Sequence, residues 1–262
     1  MSMQSPEYIE RLSNFSAHLH VKSSIVQDVH MIKELRGLIS SHTLYDKHRE
    51  FCSDENLNRF LIAKARGSPE VPNMFASYQL LVAAIEWREK KDIDGIELRN
   101  DWREEMSLEG ETGKIYIPGF DRYHRPLVVF DNTVQNTNNM EGQMKFLAWN
   151  LNLACRMMDP QEVDKYTIFM NLEKFSIFSC PSMACSKETI NMLCNMFPER
   201  LGHCICYQGP KYFEYFFGLV KPFVDPKTIR VRRLSVSMIS LDGLIDLLNL
   251  THISATLHIA RK

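Results

Sequence analysis

Long apolar runs are missing from this sequence, although 45% of its 262 residues are hydrophobic. No stretch approaches the roughly 20 consecutive apolar residues that a membrane-spanning helix requires. Residues 1–16 are polar and have no basic start followed by an apolar core, so we expect no secretory signal. The formal net charge is only −1, which gives no bulk attraction to nucleic acid. These absences favour a cytoplasmic protein without a nucleic-acid partner.

The motifs that hold cofactors or support hydrolysis are missing as well. The sequence has no GxxxxGK, GxGxxG, GxSxG or HExxH pattern, the signatures of phosphate loops, dinucleotide sites, hydrolase nucleophiles and zinc peptidases. The seven cysteines are odd in number and lack CxxC spacing, which indicates reduced thiols. One group of candidate metal ligands is Cys194, His203, Cys204 and Cys206. Its spacing fits no structural zinc pattern, so we predict neither an enzyme nor a metal site.

Helical periodicity dominates the first third of the chain. Apolar residues recur every three or four positions in the segments Ile25–Ile39, Leu57–Leu61 and Met74–Ile85. This spacing predicts three amphipathic helices. We expect Asp54 to cap the second of them, because aspartate is a favoured residue at helix starts.

Strands and helices alternate after Gly113. Segments with strand character are 114–117, 126–131, 166–172, 203–208 and 229–236, and segments with helical character are 141–158, 183–197 and 212–220. Such alternation is typical of a mostly parallel sheet with crossover helices. We therefore predict an α/β protein with a helical N-terminal lobe over residues 1–95 and a sheet-containing lobe over residues 96–262.

One helical segment, Tyr212–Val220, is apolar nearly all round, whereas a helix on a sheet surface has a single apolar stripe. Two interpretations stay open. The helix is either fully buried, or it turns one apolar face to a cavity and the other to a membrane. The second interpretation makes these residues the membrane contact: Tyr212, Phe213, Phe216, Phe217 and Val220.

The segment Asp225–Arg233 is locally basic. Arg230 and Arg232 alternate with apolar residues, so the two arginines share one face of the predicted strand. They either protect a solvated edge strand by their charge or contact an anionic lipid.

Six segments carry a family resemblance, in order along the chain: Asp54–Lys64, Ala84–Arg88, Gly119–Leu127, Asn171–Ser176, Pro198–Gly202 and Lys221–Thr228. Together they resemble the CRAL-TRIO lipid-binding family, and within it the phosphatidylinositol transfer proteins. Retinaldehyde-binding and tocopherol transfer proteins are the other relatives. The resemblance implies a CRAL-TRIO fold in which the sheet forms one wall of an apolar pocket. It also implies a gating helix at Tyr212–Val220.

The resemblance further implies a lipid head-group site. Lys64 stands where the transfer proteins carry an arginine, and Glu199 matches their glutamate. Asp225 and Thr228 match a DPxT element, and Arg230 follows it closely.

Five positions depart from the pattern of the transfer proteins. Ala65 and Val231 stand where basic residues are usual. Tyr166 and Ile168 replace the paired hydroxyl residues of members that bind phosphatidylcholine, and Val128 replaces their tyrosine. The resemblance therefore implies an inositol-lipid site without the choline-lipid site.

The function implied by the resemblance is the binding of a phosphoinositide-type lipid. The lipid would be exchanged between membranes or presented to lipid-modifying enzymes such as lipid kinases. We expect a bound phospholipid or other hydrophobic ligand, no cofactor, and a cytoplasmic protein that contacts a membrane surface transiently. Two alternatives stay open: a carrier of a retinoid- or tocopherol-like ligand, and an interaction or scaffold domain that transfers nothing.

Overall fold

The computed structural model describes residues 28–66, 70–95, 102–159, 163–173, 182–209 and Gly218. Within these ranges the chain forms a group of helices followed by a four-stranded sheet with its crossover helices. The predicted elements at 212–220 and 229–236 lie outside the described residues, apart from Gly218.

Three predicted helices form the N-terminal part: α1 Val29–Ile39, α2 Asp54–Ala63 and α3 Met74–Lys91. The predicted cap of α2 was wrong by one residue. Ser53 has the extended backbone that a cap requires, and its hydroxyl accepts the amide N–H of Asn56 at 3.3 Å. Asp54 is already helical, and its Oδ1 lies 2.6 Å from a guanidinium nitrogen of Arg36.

A small hairpin connects α2 to α3. Strand β1, Ala65–Arg66, pairs antiparallel with strand β2, Val71–Pro72. The Asn73 side chain then accepts the amide N–H of Ala76 at 2.9 Å and caps α3. The hairpin therefore fixes the path between the two helices.

The second part of the chain contains α4 Trp102–Gly110, β3 Ile115–Phe120, β4 Pro126–Asp131, α5 Met140–Arg156, β5 Tyr166–Asn171, α6 Met183–Asn191 and β6 Leu201–Tyr207. A π-helical turn, Met192–Met196, extends α6. The strands are ordered β3-β4-β5-β6. The β3–β4 pair is antiparallel, and the β4–β5 and β5–β6 pairs are parallel. The predicted mostly parallel sheet with crossover helices is thus confirmed.

One hydrophobic core joins the helices to the sheet. It contains Leu35 of α1, Phe60 of α2, Ile85 of α3, Leu147 of α5 and Ile168 of β5, each at most 2% exposed. The opposite face of the sheet carries a second buried cluster: Leu127, Val129, Phe169 and Ile205. This alternation follows from the two-residue period of a strand.

A buried ion pair fastens α4 to the rest of the protein. Lys114 Nζ hydrogen bonds to Glu109 Oε2 and, at 2.8 Å, to Thr137 Oγ1. The side chains of Lys114 and Glu109 are 3% and 1% exposed. Each charge therefore depends on the other for compensation, because water cannot reach it.

Replacing Lys114 with methionine should lower the free energy of unfolding by about 3–5 kcal/mol, since it leaves the Glu109 carboxylate buried without its cation. The matched control is Lys47→Met, which removes the exposed 2.7 Å pair with Glu89 and should leave that free energy nearly unchanged, because water screens such pairs. Urea unfolding of both variants measures the difference. Similar small losses in the two variants would contradict the importance of the buried pair.

Candidate functional site

Lys64 lies at the junction of α2 and the hairpin. Its backbone N–H donates to the carbonyl of Leu61 at 3.2 Å, and its carbonyl accepts the N–H of Asn73 at 3.3 Å. The half-buried Lys64 side chain therefore leaves from a backbone that is held at both ends. The next residue, Ala65, is buried at 2% exposure. Because it is an alanine, this position supplies no cation.

Glu199 lies in the tight turn that enters β6, with a positive φ of 57°. This left-handed conformation is uncommon for a residue with a Cβ atom. The turn is held on both sides. Phe197 N–H donates to the Met192 carbonyl at 3.0 Å, and the Arg200 carbonyl accepts the N–H of Tyr166 at 2.8 Å. Strained conformations held by their surroundings in this way cluster at functional sites.

Two arginines lie close to each other on the segments that carry Lys64 and Glu199. Arg59 lies in α2, and Arg200 directly follows Glu199. Burial, together with the nearby charge of Arg200, lowers the pKa of Arg59 to about 10. The buried Nε of Arg59 has no hydrogen-bond partner, while Arg200 donates to the Asp164 carbonyl at 3.2 Å. The turn at Glu199 therefore lies near α2, where the charges of Arg200, Asp164 and Glu55 all act on Arg59.

Arg88 anchors the same turn from α3. Its guanidinium donates to Asp94 through Nε at 3.0 Å and through Nη2, which also donates to Asn152 at 3.0 Å. It lies over the rings of Phe51 and Phe197, with centroid distances of 4.3 and 5.7 Å. Arg88 thus joins the loop after α1, helix α5 and the residue that begins the Glu199 turn.

The carboxylate of Asp94 is held ionised by this arrangement. Burial alone would raise the pKa of Asp94, but hydrogen bonds and charges from Arg88 and His48 outweigh burial and hold the pKa below its ordinary value. His48 Nδ1 lies 3.1 Å from Asp94 Oδ2. The anchor is therefore a hydrogen-bonded charge network, in which the buried Arg88 and His48 side chains meet the partly exposed Asp94.

The three positions of the choline-lipid site face the main core. Val128, Tyr166 and Ile168 are 0%, 0% and 1% exposed. Val128 and Ile168 are directly paired between β4 and β5. This part of the sheet therefore presents no aliphatic hydroxyl at any of the three positions.

Burial raises the pKa of the Cys52 thiol to about 11 and also raises that of Cys155. Cys206 differs, because a hydrogen bond from Cys204 lowers its pKa. Across the described ranges, no three or more His, Cys, Asp or Glu side chains form a group that could hold a metal ion. The candidate ligands Cys204 and Cys206 lie on β6, as predicted.

The remaining predicted site residues lie outside the described residues. These are the head-group candidates Asp225, Thr228 and Arg230 and the gate candidates Tyr212, Phe213, Phe216, Phe217 and Val220. Of the predicted site, the structure places Lys64 and Glu199. Arg59, Arg88 and Arg200 are additional residues that the sequence did not single out. None of the described helices is both long and apolar enough to cross a bilayer.

Helices packed on one face of a mostly parallel sheet define an α/β protein. The crystal structure of Sfh5 superposes with a TM-score of 0.55 at 16% sequence identity, covering 78% of this chain and 80% of that one. Residues 110–236 match the CRAL/TRIO domain. This part of the chain is therefore similar to the CRAL-TRIO family.

Curated relatives within the family include two fungal proteins. The phosphatidylinositol transfer protein PDR17 of Saccharomyces cerevisiae is 28% identical over 167 residues, which are 55% of this chain and 47% of that protein. The SEC14 cytosolic factor of Kluyveromyces lactis is 26% identical over 212 residues, 76% of this chain and 67% of that protein. The matched region thus spans about half the length of PDR17.

The strain at Glu199 can be separated from any role of its side chain. Replacing Glu199 with glycine should raise the free energy of unfolding by up to about 1 kcal/mol, because glycine adopts positive φ without a Cβ clash. Glu199→Gln keeps the Cβ atom and should give no such gain. Chemical denaturation of both variants measures the effect. A large loss of stability in the glycine variant alone would show that the side chain is structural.

Proposed function

We propose that this protein binds phosphatidylinositol, carries it between membranes or presents it to lipid-modifying enzymes, and performs no chemistry of its own. The observation that supports this most is the positive φ of Glu199 in a turn whose next residue, Arg200, lies near Arg59 of α2, the helix that ends at Lys64. A phosphatidylinositol transfer protein among its relatives supports the same lipid class.

The energetics of a two-tailed lipid explain why a carrier is needed. Its tails contain about 30 methylenes, and each contributes about 0.8 kcal/mol on leaving water, or roughly 24 kcal/mol in total. We propose that the second lobe encloses an apolar pocket for these tails. A bilayer is as apolar as such a pocket, so the tails permit transfer without making it selective.

Selectivity in this proposal comes from the head group. A phosphodiester in a largely apolar site requires a cation or several donors, because an unpaired buried charge is very costly. In this proposal Lys64 supplies the cation, at the end of the helix that also carries Arg59. Each charge-assisted hydrogen bond contributes about 1.5–3 kcal/mol.

Inositol and choline require different binding groups in the site. Inositol has hydroxyl groups, and the Glu199 carboxylate accepts hydrogen bonds from them. We propose that Asp225, Thr228 and Arg230 complete this site. Choline has no hydroxyl group, and the apolar or aromatic side chains at Val128, Tyr166 and Ile168 do not reproduce a choline-lipid site.

Exchange requires the pocket to open at a membrane. We propose that Tyr212, Phe213, Phe216, Phe217 and Val220 form the gate, so that its apolar faces are exposed to lipid rather than water. The protein would then be cytoplasmic and peripheral at membranes.

A carrier of a retinoid- or tocopherol-like ligand is the second candidate, favoured by the apolar Val128 and Ile168. Such a ligand would leave Lys64 and Glu199 without a role.

Phosphatidylinositol should move between vesicles faster than phosphatidylcholine in the presence of the protein. Lys64→Ala and Glu199→Gln should each reduce phosphatidylinositol transfer by about tenfold, since each removes a charge-assisted contact of about 1.5–3 kcal/mol. The measurement is a vesicle-to-vesicle transfer assay with both lipids.

The control for this assay is Lys33→Ala, which removes an exposed lysine of α1 and should transfer lipid as the wild type does. Thermal unfolding of each variant checks that the fold is intact. Equal or faster transfer of phosphatidylcholine, or head-group variants that match the control, would contradict the proposed function.

A further inference from the structure

An exposed apolar pair lies beside the Lys64 junction. Phe75 and Val71 are 68% and 61% exposed, the two highest values among the exposed large hydrophobic residues of the described ranges. Both belong to one short stretch, with Val71 in β2 and Phe75 in the first turn of α3. Exposed apolar groups that occur together, rather than singly, mark interaction surfaces.

Cations flank this pair. Arg66 of β1 is directly opposite Val71 of β2, and directly opposite residues of a hairpin project on the same face. Arg66 Nη1 donates to the carbonyls of Ala63 at 3.2 Å and Ala65 at 2.8 Å. These hydrogen bonds hold its guanidinium at the end of α2 beside the hairpin.

The charge balance of the stretch is positive. Lys64 is joined to the start of α3 by the hydrogen bond from Asn73 N–H to its carbonyl, 3.3 Å long. Among the described residues between positions 64 and 75, Glu70 is the one acidic side chain, against the two cations Lys64 and Arg66. Apolar side chains beside an excess of positive charge are complementary to an anionic bilayer surface.

We propose that Val71 and Phe75, together with Arg66 and Lys64, form a docking surface for an anionic membrane, here called the hairpin surface. The two apolar side chains enter the boundary between head groups and acyl chains, and the net positive charge of the stretch attracts anionic lipid. This inference rests on the proposed function. Docking through this surface brings Lys64, the proposed head-group cation, close to the bilayer that supplies the lipid. It adds a membrane contact on the N-terminal helices, distinct from the proposed gate at Tyr212–Val220.

The hairpin surface is tested by sedimentation with vesicles of phosphatidylcholine, prepared with and without phosphatidylserine. The double variant Val71→Thr/Phe75→Ser should bind vesicles at least about fivefold more weakly, because two apolar side chains no longer leave water. The matched control is Leu108→Ser, which removes a 56% exposed leucine of α4 and should bind as the wild type does. Arg66→Gln should reduce the gain in binding that phosphatidylserine gives.

A fluorescence measurement keeps the test independent of variant stability. Tryptophan introduced by Phe75→Trp should shift its emission to the blue when vesicles are added, and tryptophan introduced by Leu108→Trp should not. Unchanged vesicle binding by the double variant, with no shift for Phe75→Trp, would overturn the proposal. So would a double variant that only converts a dimer to a monomer, since the pair would then serve a second copy of the chain.

Failure of this inference can be told apart from failure of the proposed function. Phosphatidylinositol transfer with vesicle binding that does not depend on Val71 and Phe75 would reject the hairpin surface and retain the function. Vesicle binding that depends on the pair, without transfer of phosphatidylinositol, would reject the function and retain the hairpin surface.

Discussion

The buried guanidinium of Arg88 is the contact on which the arrangement of the site depends. Its side chain is 3% exposed and cannot lose its charge, so the fold must compensate it. Asp94 and Asn152 do so through hydrogen bonds, and Phe51 and Phe197 cover its faces. One residue therefore joins the N-terminal helices to α5 and to the turn that leads to β6.

This anchor makes the strain at Glu199 understandable. A residue with positive φ persists only where its neighbours fix it, and here Phe197 is covered by Arg88 while the Arg200 carbonyl is paired with β5. The same packing sets the turn near α2, where burial and the nearby charge of Arg200 lower the pKa of Arg59 to about 10. The anchoring of this turn and its position beside Arg59 thus arise from one interface between the helices and the sheet. The predicted division of the chain into two lobes, residues 1–95 and residues 96–262, stays a prediction.

The sequence predicted the elements whose burial follows a regular period, and missed those held by single polar contacts. The helices α1 and α3 were visible because one face of each is apolar, and the strands β4 and β5 because they are short runs whose two faces are both largely buried. Helix α4 was not, because its inward face combines the apolar Met106 with the charged Glu109, whose partner Lys114 follows the helix. Arg88 left a signal that could have been used, since it falls on the buried stripe of α3 three residues after Ile85. The positive φ of Glu199 left none, because nothing in a Pro-Glu-Arg sequence requires it.

The central claim is that the protein carries an inositol phospholipid in an enclosed site, and native mass spectrometry of the purified protein followed by lipid extraction tests it most directly. A species heavier than the chain by the mass of one phosphatidylinositol, identified in the extract, is the predicted result. A protein that is empty after purification and takes up no phosphatidylinositol from vesicles would contradict the claim and favour a scaffold domain. A co-purified retinoid- or tocopherol-like molecule would contradict the choice of lipid while retaining a carrier.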